Sequence, residues 1–290
     1  MLEKLSKAAV LVRLNTDTPE GKEQSRAFNL RGIPTTVILD GRGKEVDRII
    51  GYEGRSEWTR TLLAYLYGVD TLDDLLDRHR VGASPELARD IAEKYLGRGS
   101  AKDALAWVET ARSGWPSDRA QEVLGLDLIQ GQALLREDPP RGQEVLKGLA
   151  LKGTQPYADE AFDALSGYHR RQARAAKSPE EKQKAQDLML ALYHEILPSK
   201  QDDSGFLNGY AWHCAELGVE LDKAALAAQR AVTLSHEDPG ILDTLAEVYY
   251  KMGKRSEALA AIEKAVAKNP DDAYLKGQRE KILKMEAGAE

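Results

Sequence analysis

From Ser84 onward, apolar residues recur three and four positions apart, and glycine, proline or a capping polar residue breaks the pattern at short intervals. This is the signature of one amphipathic helix after another. In the middle of the chain the spacing predicts helices over Ala120 to Arg136, Gly142 to Lys152, Tyr157 to Ala176 and Pro179 to Leu197. A polar-faced helix follows near the end, from Tyr274 to Met285. Before Ser84 the pattern differs. Thr35 to Leu39 is β-branched and apolar, Asp40 to Gly43 supplies turn residues, and Glu45 to Ile50 reads as the returning strand of a hairpin. Pro34 stands at the start of the first strand, where a residue without an N–H is tolerated and a cis bond can occur. Ala8 to Leu14 reads as a further buried-type strand, centred on Val10, Leu11 and Val12. Leu2 to Lys7 reads as the tail of a helix, and Glu20 to Asn29 as a charged helix with Ala27 and Phe28 near its end. Ser56 is expected to cap a helix from Glu57 to Tyr67 with Trp58, Leu62, Leu63 and Leu66 on its apolar side and Gly68 as its stop. Asp70 to Val81 reads as a short connecting helix with Thr71 and Asp74 at capping-box spacing.

The helical part repeats itself. Pro85 set against Pro239, 154 residues away, starts a register that Ile91 and Leu245, Tyr95 and Tyr249, and Gly99 and Gly253 all keep. Ala104 and Ala258, Ala111 and Ala265, and Pro116 and Pro270 continue it at the same offset. A third copy begins at Gly205. Ala224 and Ala231 align with Ala258 and Ala265 at a spacing of 34, while Leu207, Ala211 and Gly218 align better at 35, which implies one extra residue in the inter-helix turn. Glycine ends the first helix in a left-handed turn, and alanines seven apart let the paired helices approach. Tyr249 and Ile262 fill the space between them, and Pro270 stops the unit. One such unit cannot bury its own face, so neighbours must stack.

An aromatic residue near the end of the first helix, then glycine, alanines seven apart and a closing proline resemble the tetratricopeptide repeat (TPR). The match covers 85–118, 205–238 and 239–272, with 119–204 as degenerate repeats and 273–286 as a capping helix. The resemblance implies an α-solenoid over 85–290 whose groove takes a protein or peptide ligand.

Residues 1–68 carry a second resemblance. The order β-α-β-β-α, with Gly32-Ile33-Pro34-Thr35 ahead of the hairpin and Gly51-Tyr52 after it, is similar to the C-terminal half of a thioredoxin-like fold. The resemblance implies a cis-proline at Pro34 and, at Ile33 and Pro34, an inherited substrate-binding backbone. The family's Cys-x-x-Cys would precede Met1. A truncated or misassigned start, a decayed domain and a domain completed by another chain each account for that departure. All three imply exposed apolar surface around Val10, Val12 and Ile38. The expected fold class is therefore mixed: a partial thioredoxin-like α/β region over 1–68, a linker over 69–84, and an all-α solenoid beyond.

Composition narrows the chemistry. A net charge of −6 in 290 residues argues against a nucleic-acid surface, and no apolar run approaches a bilayer span. The N-terminus lacks a signal-peptide core, so the chain as written reads as cytoplasmic, or as periplasmic or secreted if a signal preceded a lost segment. Cys214 is the only cysteine. It rules out an internal dithiol, and its apolar neighbours Trp212 and Ala215 make it a buried structural thiol. His79, His169, His194, His213 and His236 are scattered without metal-ligand spacing, so no metal or other cofactor is expected and no catalytic residue is assigned. Gly97-Arg98-Gly99 and Gly41-Arg42-Gly43 lack the strand-to-helix setting of a phosphate loop. The basic run Arg170, Arg171, Arg174, Lys182 and Lys184 reads as a solvated helical face that could instead hold an acidic peptide tail. The functional expectation is a redox-inactive protein-interaction module. The alternative is a thioredoxin-family oxidoreductase whose active half lies upstream and whose repeats recruit substrate.

Overall fold

In the computed structural model of the protein, which describes residues 9–30, 32–115 and 120–285, the β-branched run forms a two-stranded antiparallel hairpin. Strand β1 (Thr35–Leu39) pairs with β2 (Glu45–Ile50), with a register shift between Ile38 and Leu39. Asp40 holds the turn, its carboxylate accepting the backbone N–H groups of Arg42 and Lys44 at 2.8 and 2.9 Å. Helix α1 (Pro19–Ala27) precedes the hairpin, capped by the Thr18 hydroxyl, and α2 (Arg55–Leu66) follows it. Helix α2 covers one face: Ile38 and Leu62 are buried together, with Val46, Ile49, Trp58 and Leu66 around them. The Ile33–Pro34 peptide bond is cis.

Three expectations for this region change. Residues 9–14 form no strand, and Val10 and Val12 are 91% and 75% exposed. Strand propensity is realised only against an edge to pair with and a face to cover, and this segment has neither. Ile38, expected at the surface with them, is buried because α2 packs on it. Helix α2 starts two residues earlier than Ser56 would set, with Gly54 at its cap and no side-chain cap bond. Where a partial thioredoxin-like α/β region was expected, the described residues hold a two-stranded hairpin with a helix on one face. The expected helix tail at Leu2–Lys7 and the repeat position Pro116 lie outside the described residues.

The chain divides into two compact units, 1–165 and 166–290, so the hairpin shares a unit with the first helix pairs. Helix α3 (Leu72–Val81) begins with the Thr71 hydroxyl accepting the Asp74 N–H, while the Asp74 carboxylate accepts from the Asp70 N–H. Its Leu72 and Leu75 bury against Ile91 of α4 (Pro85–Arg98). Asp47 of β2, 1% exposed, ties these parts together. Its carboxylate accepts from the Leu72 N–H and Lys94 Nζ, each at 2.9 Å, and from the Arg48 N–H at 2.8 Å. Lys94 Nζ also donates to the Tyr65 hydroxyl of α2 at 2.6 Å. Arg48 forks onto Glu45 and reaches the Gly97 carbonyl, and Arg98 Nη2 donates to the Val46 carbonyl. One buried carboxylate therefore fixes β2, α2, α3 and α4 to each other.

Helix α4 pairs with α5 (Ala101–Gly114), and α6 (Ala120–Glu137) with α7 (Pro139–Lys152). The boundary between the units falls inside α8 (Tyr157–Ala175). The second unit continues with α9 (Pro179–Ile196) and two further pairs, α10 (Ser204–Leu217) with α11 (Leu221–Leu234) and α12 (Pro239–Lys251) with α13 (Arg255–Lys268). Helix α14 (Ala273–Leu283) ends it. The pairs share one device. Ala104, Ala111, Ala224, Ala231, Ala258 and Ala265 are all at 0% exposure, each letting a second backbone come close. In α6–α7 the same need is met by Gly142, where a β-carbon would lie 2.5 Å from the Leu135 nitrogen and 2.7 Å from the Leu134 carbonyl carbon. That substitution of device is why the alanine register drifts there.

Gly99, Gly218 and Gly253 turn between paired helices at φ of 86°, 69° and 76°. The extra residue before α11 is absorbed by Glu220, a non-glycine residue at φ 50° that serves as the N-cap. Tyr249 is half-buried and accepts a hydrogen bond from Gln229 of α11 at 2.6 Å. Tyr95 packs against both clusters of the first unit's helices. Pro270 is exposed just past the end of α13.

Two stability measurements probe these devices. Ala258→Leu or Ala265→Leu should overpack the α12–α13 pair and cost about 1–3 kcal/mol in urea denaturation. Asp47→Ala strands the Lys94 ammonium and the Leu72 N–H, and should cost about 3–5 kcal/mol with the helix content of the native state unchanged. An Asp47→Ala protein as stable as the parent would show that the buried carboxylate is not what joins the hairpin to the helices.

Candidate functional site

In the second unit, Asp243, Glu247 and Tyr250 stand at positions i, i+4 and i+7 of α12, on one helical face. Helix α14 approaches that face. The Tyr274 hydroxyl donates to Asp243 Oδ2 at 3.1 Å, and Gln278 Nε2 donates to the Tyr274 hydroxyl at 2.7 Å. Lys281 donates to Glu247 and lies over the Tyr250 ring, 4.2 Å from its centroid. The 35-residue offset places Asn208 and Trp212 of α10 at the positions of Asp243 and Glu247, and α10 packs on α12. Asn208 Oδ1 is buried without a hydrogen-bond partner, an acceptor desolvated where α10 packs. Burial pushes the Asp243 carboxyl above the usual carboxylate range, against the Tyr274 hydrogen bond that favours its charge. The face thus carries the half-buried indole of Trp212 and carboxylates already engaged by α14.

A second cluster lies behind α10. Glu220 accepts the Tyr210 hydroxyl at 2.7 Å, His194 Nε2 at 2.9 Å and Lys223 Nζ at 3.3 Å. The Tyr210 hydrogen bond is the largest cause that lowers the Glu220 carboxyl to about 2. Burial raises Tyr210 above the ordinary phenol range, and it raises the Cys214 thiol to about 11. Cys214 is at 0% exposure beside Tyr210. This is a lock between α9, α10 and α11, while burial, against the Tyr210 hydrogen bond, disfavours the thiolate.

In the first unit a cleft of about 330 Å³ opens beside Asp47, Tyr65 and Lys94. The hydrogen bonds of Asp47 run to its protein neighbours, so the cleft borders a structural joint. Ile33 is 75% exposed, and the Pro34 carbonyl accepts the Gly51 N–H at 2.8 Å where the hairpin closes. The one cysteine belongs to the other unit. The histidines occupy separate surroundings. His79 stacks edge-on to Trp107, His169 and His213 are buried, His194 pairs with Glu220, and His236 sits in a turn at φ 54°. Among the described residues no group of His, Cys, Asp and Glu could hold a metal ion, and no helix is long and apolar enough to cross a membrane. Composition could have flagged the Glu220 and Asn208 positions only through the extra turn residue and a polar residue in an otherwise apolar helix.

Comparison with known families agrees with the repeat register. Residues 239–272 match the family model of the tetratricopeptide repeat. Among solved structures the chain is similar to TTC0263, a thermophilic TPR protein in Thermus thermophilus. The identity is 22%, covering 69% of this chain and 99% of that one, with a TM-score of 0.41. It is also similar to MamA of MSR-1 and of AMB-1. Each is 18% identical over 64% of this chain, covering 97% and 99% of theirs, with TM-scores of 0.39 and 0.40. No curated protein matches the chain.

Acid should weaken the second unit in two steps. Burial lowers the pKa of His169 and His213, so the unfolded chain takes up protons first as pH falls below about 6.5. Stability is then full above that pH and declines below it. Glu220, held at about 2 in the fold, adds stability that is lost as pH falls from the ordinary Glu value of about 4.3. Thermal unfolding followed across pH should show both declines. His169→Gln should flatten the upper one and leave the lower.

Proposed function

We propose that the protein is a protein-interaction module that holds a partner peptide along the face built by α10, α12 and α14. The observation that supports this most directly is Trp212, whose indole is only half-buried on that face. It offers apolar area of the kind that anchors interfaces. Glu247 and Tyr250, set by Lys281, supply fixed polar edges beside it. The tetratricopeptide match over α12 and α13 accords with peptide binding as the use of this face.

Disulfide exchange has no comparable support. The mechanism needs an accessible thiolate and a resolving thiol. Cys214 is fully buried, with its thiol pushed up to about 11.

Selection of a random peptide library on the intact protein tests the reading. Selected peptides should lose about tenfold or more in affinity for Trp212→Ala and Tyr250→Ala variants, a loss of roughly 1.4 kcal/mol or more. Both variants should keep the parent's circular dichroism spectrum. Failure to select any peptide, or peptides that bind parent and variants alike, would overturn it.

A further inference from the structure

The basic run around the α8–α9 turn is left unexplained by that face. Between Arg170 and Lys184 the chain carries six Arg or Lys residues against two Glu, in a protein whose net charge is −6. Arg171, Arg174, Lys177, Lys182 and Lys184 are all exposed. None of the five side chains forms an ion pair among the described residues. Elsewhere in the unit Lys200, Lys223, Arg230, Lys264, Lys268 and Lys281 are each paired with a carboxylate. The connection Ala176 to Ser178 is three residues long, so the end of α8 and the start of α9 bring these charges to one place.

Helix stability accounts for Lys184, four residues after Glu180 in the favourable order, but not for the arginines. Arg171 and Arg174 are i,i+3 neighbours and Arg170 and Arg174 are i,i+4 neighbours, arrangements that cost rather than contribute. Arg174 at the end of α8 suits the helix dipole, but Lys182 and Lys184 lie in the first turns of α9, where the dipole disfavours cations. Beside Lys184, a shallow open depression of about 750 Å³ is lined by Pro179, Leu188 and Ala191, with Leu188 45% exposed, and edged by Glu180, Gln183 and Asp187.

We propose that this segment docks an acidic amphipathic stretch of a partner protein, its carboxylates meeting the five cations and an apolar side chain meeting Leu188. The apolar floor favours a peptide over a nucleic acid, since 170–191 exposes no aromatic ring on which bases could stack. It favours a peptide over a membrane surface, because Leu188 alone gives no apolar face deep enough to insert. The site is separate from the α10–α12–α14 face and goes beyond it.

The probe is a fluorescein-labelled, glutamate-rich peptide with leucines at helical spacing, titrated by anisotropy onto the intact protein. Binding should weaken steeply with added salt. It should fall about tenfold or more in the variant Arg171→Gln, Arg174→Gln, Lys182→Gln, Lys184→Gln, and persist in Trp212→Ala. The four-fold variant should melt at the parent's temperature or above it, because like-charge pairs have been removed. A lower melting temperature would assign the run to folding. An absence of peptide binding at low salt would overturn the proposal. So would equal binding by the variant, or tighter binding of a single-stranded oligonucleotide or anionic vesicles of matched charge.

Discussion

Two helices can bury their facing stripes only if their backbones come close, and most of this chain is organised by that demand. Alanine at the crossing points, or Gly142 where even a β-carbon would collide with the Leu134–Leu135 backbone, sets the separation. A left-handed glycine after the first helix lets the second return immediately. The rest follows from the same geometry. A pair held this close exposes its other faces to the next pair. The outer face of the last pair is then covered by α14, whose Leu275 and Ile282 are buried while its remaining side chains are largely polar.

The hairpin obeys a different constraint. Two strands have too little apolar surface to be stable alone, and β2 gains a second support through Asp47. The carboxylate accepts the Leu72 N–H at the start of α3, where the helix dipole favours negative charge, and it neutralises Lys94 of α4. Both of its oxygens are engaged, so burial at 1% exposure is tolerated. Leu72, Leu75 and Ile91 then close the apolar side of the same joint. This makes the first helix pair a floor for the hairpin and places both in one compact unit.

What could be read in the sequence and what could not divide along the range of the interactions. The hairpin limits at Thr35, Leu39, Glu45 and Ile50, and the helix-ending Gly99, Gly218 and Gly253, are decided by residues within a turn or two, and pattern reveals them. Residues 9–14 are apolar enough for a buried strand, yet a strand is a property of a pair, and no pair forms. Asp47 reads as an ordinary polar residue of an alternating strand, because its partners are 25 and 47 positions away. Glu220 signals itself only as a one-residue insertion. Its meaning comes from His194 and Tyr210, on two other helices. Asn208 shares a helix with Phe206, Leu207 and Tyr210, and its unpartnered oxygen exists only once α10 is packed.

The two surfaces proposed for the second unit would discriminate in different ways. On the α12 face each charge is already answered. Tyr274 holds Asp243 and Lys281 holds Glu247. A ligand there meets directional groups and buried area, which act over contact distance and are nearly indifferent to salt. At the α8–α9 turn the cations are unanswered, and their field extends for about a Debye length, roughly 8 Å at physiological ionic strength. Such a field speeds encounter and selects by sign, while saying little about sequence. A partner carrying an acidic stretch near a groove-binding segment would be gathered by the second surface and discriminated by the first. Neither surface alone would provide both.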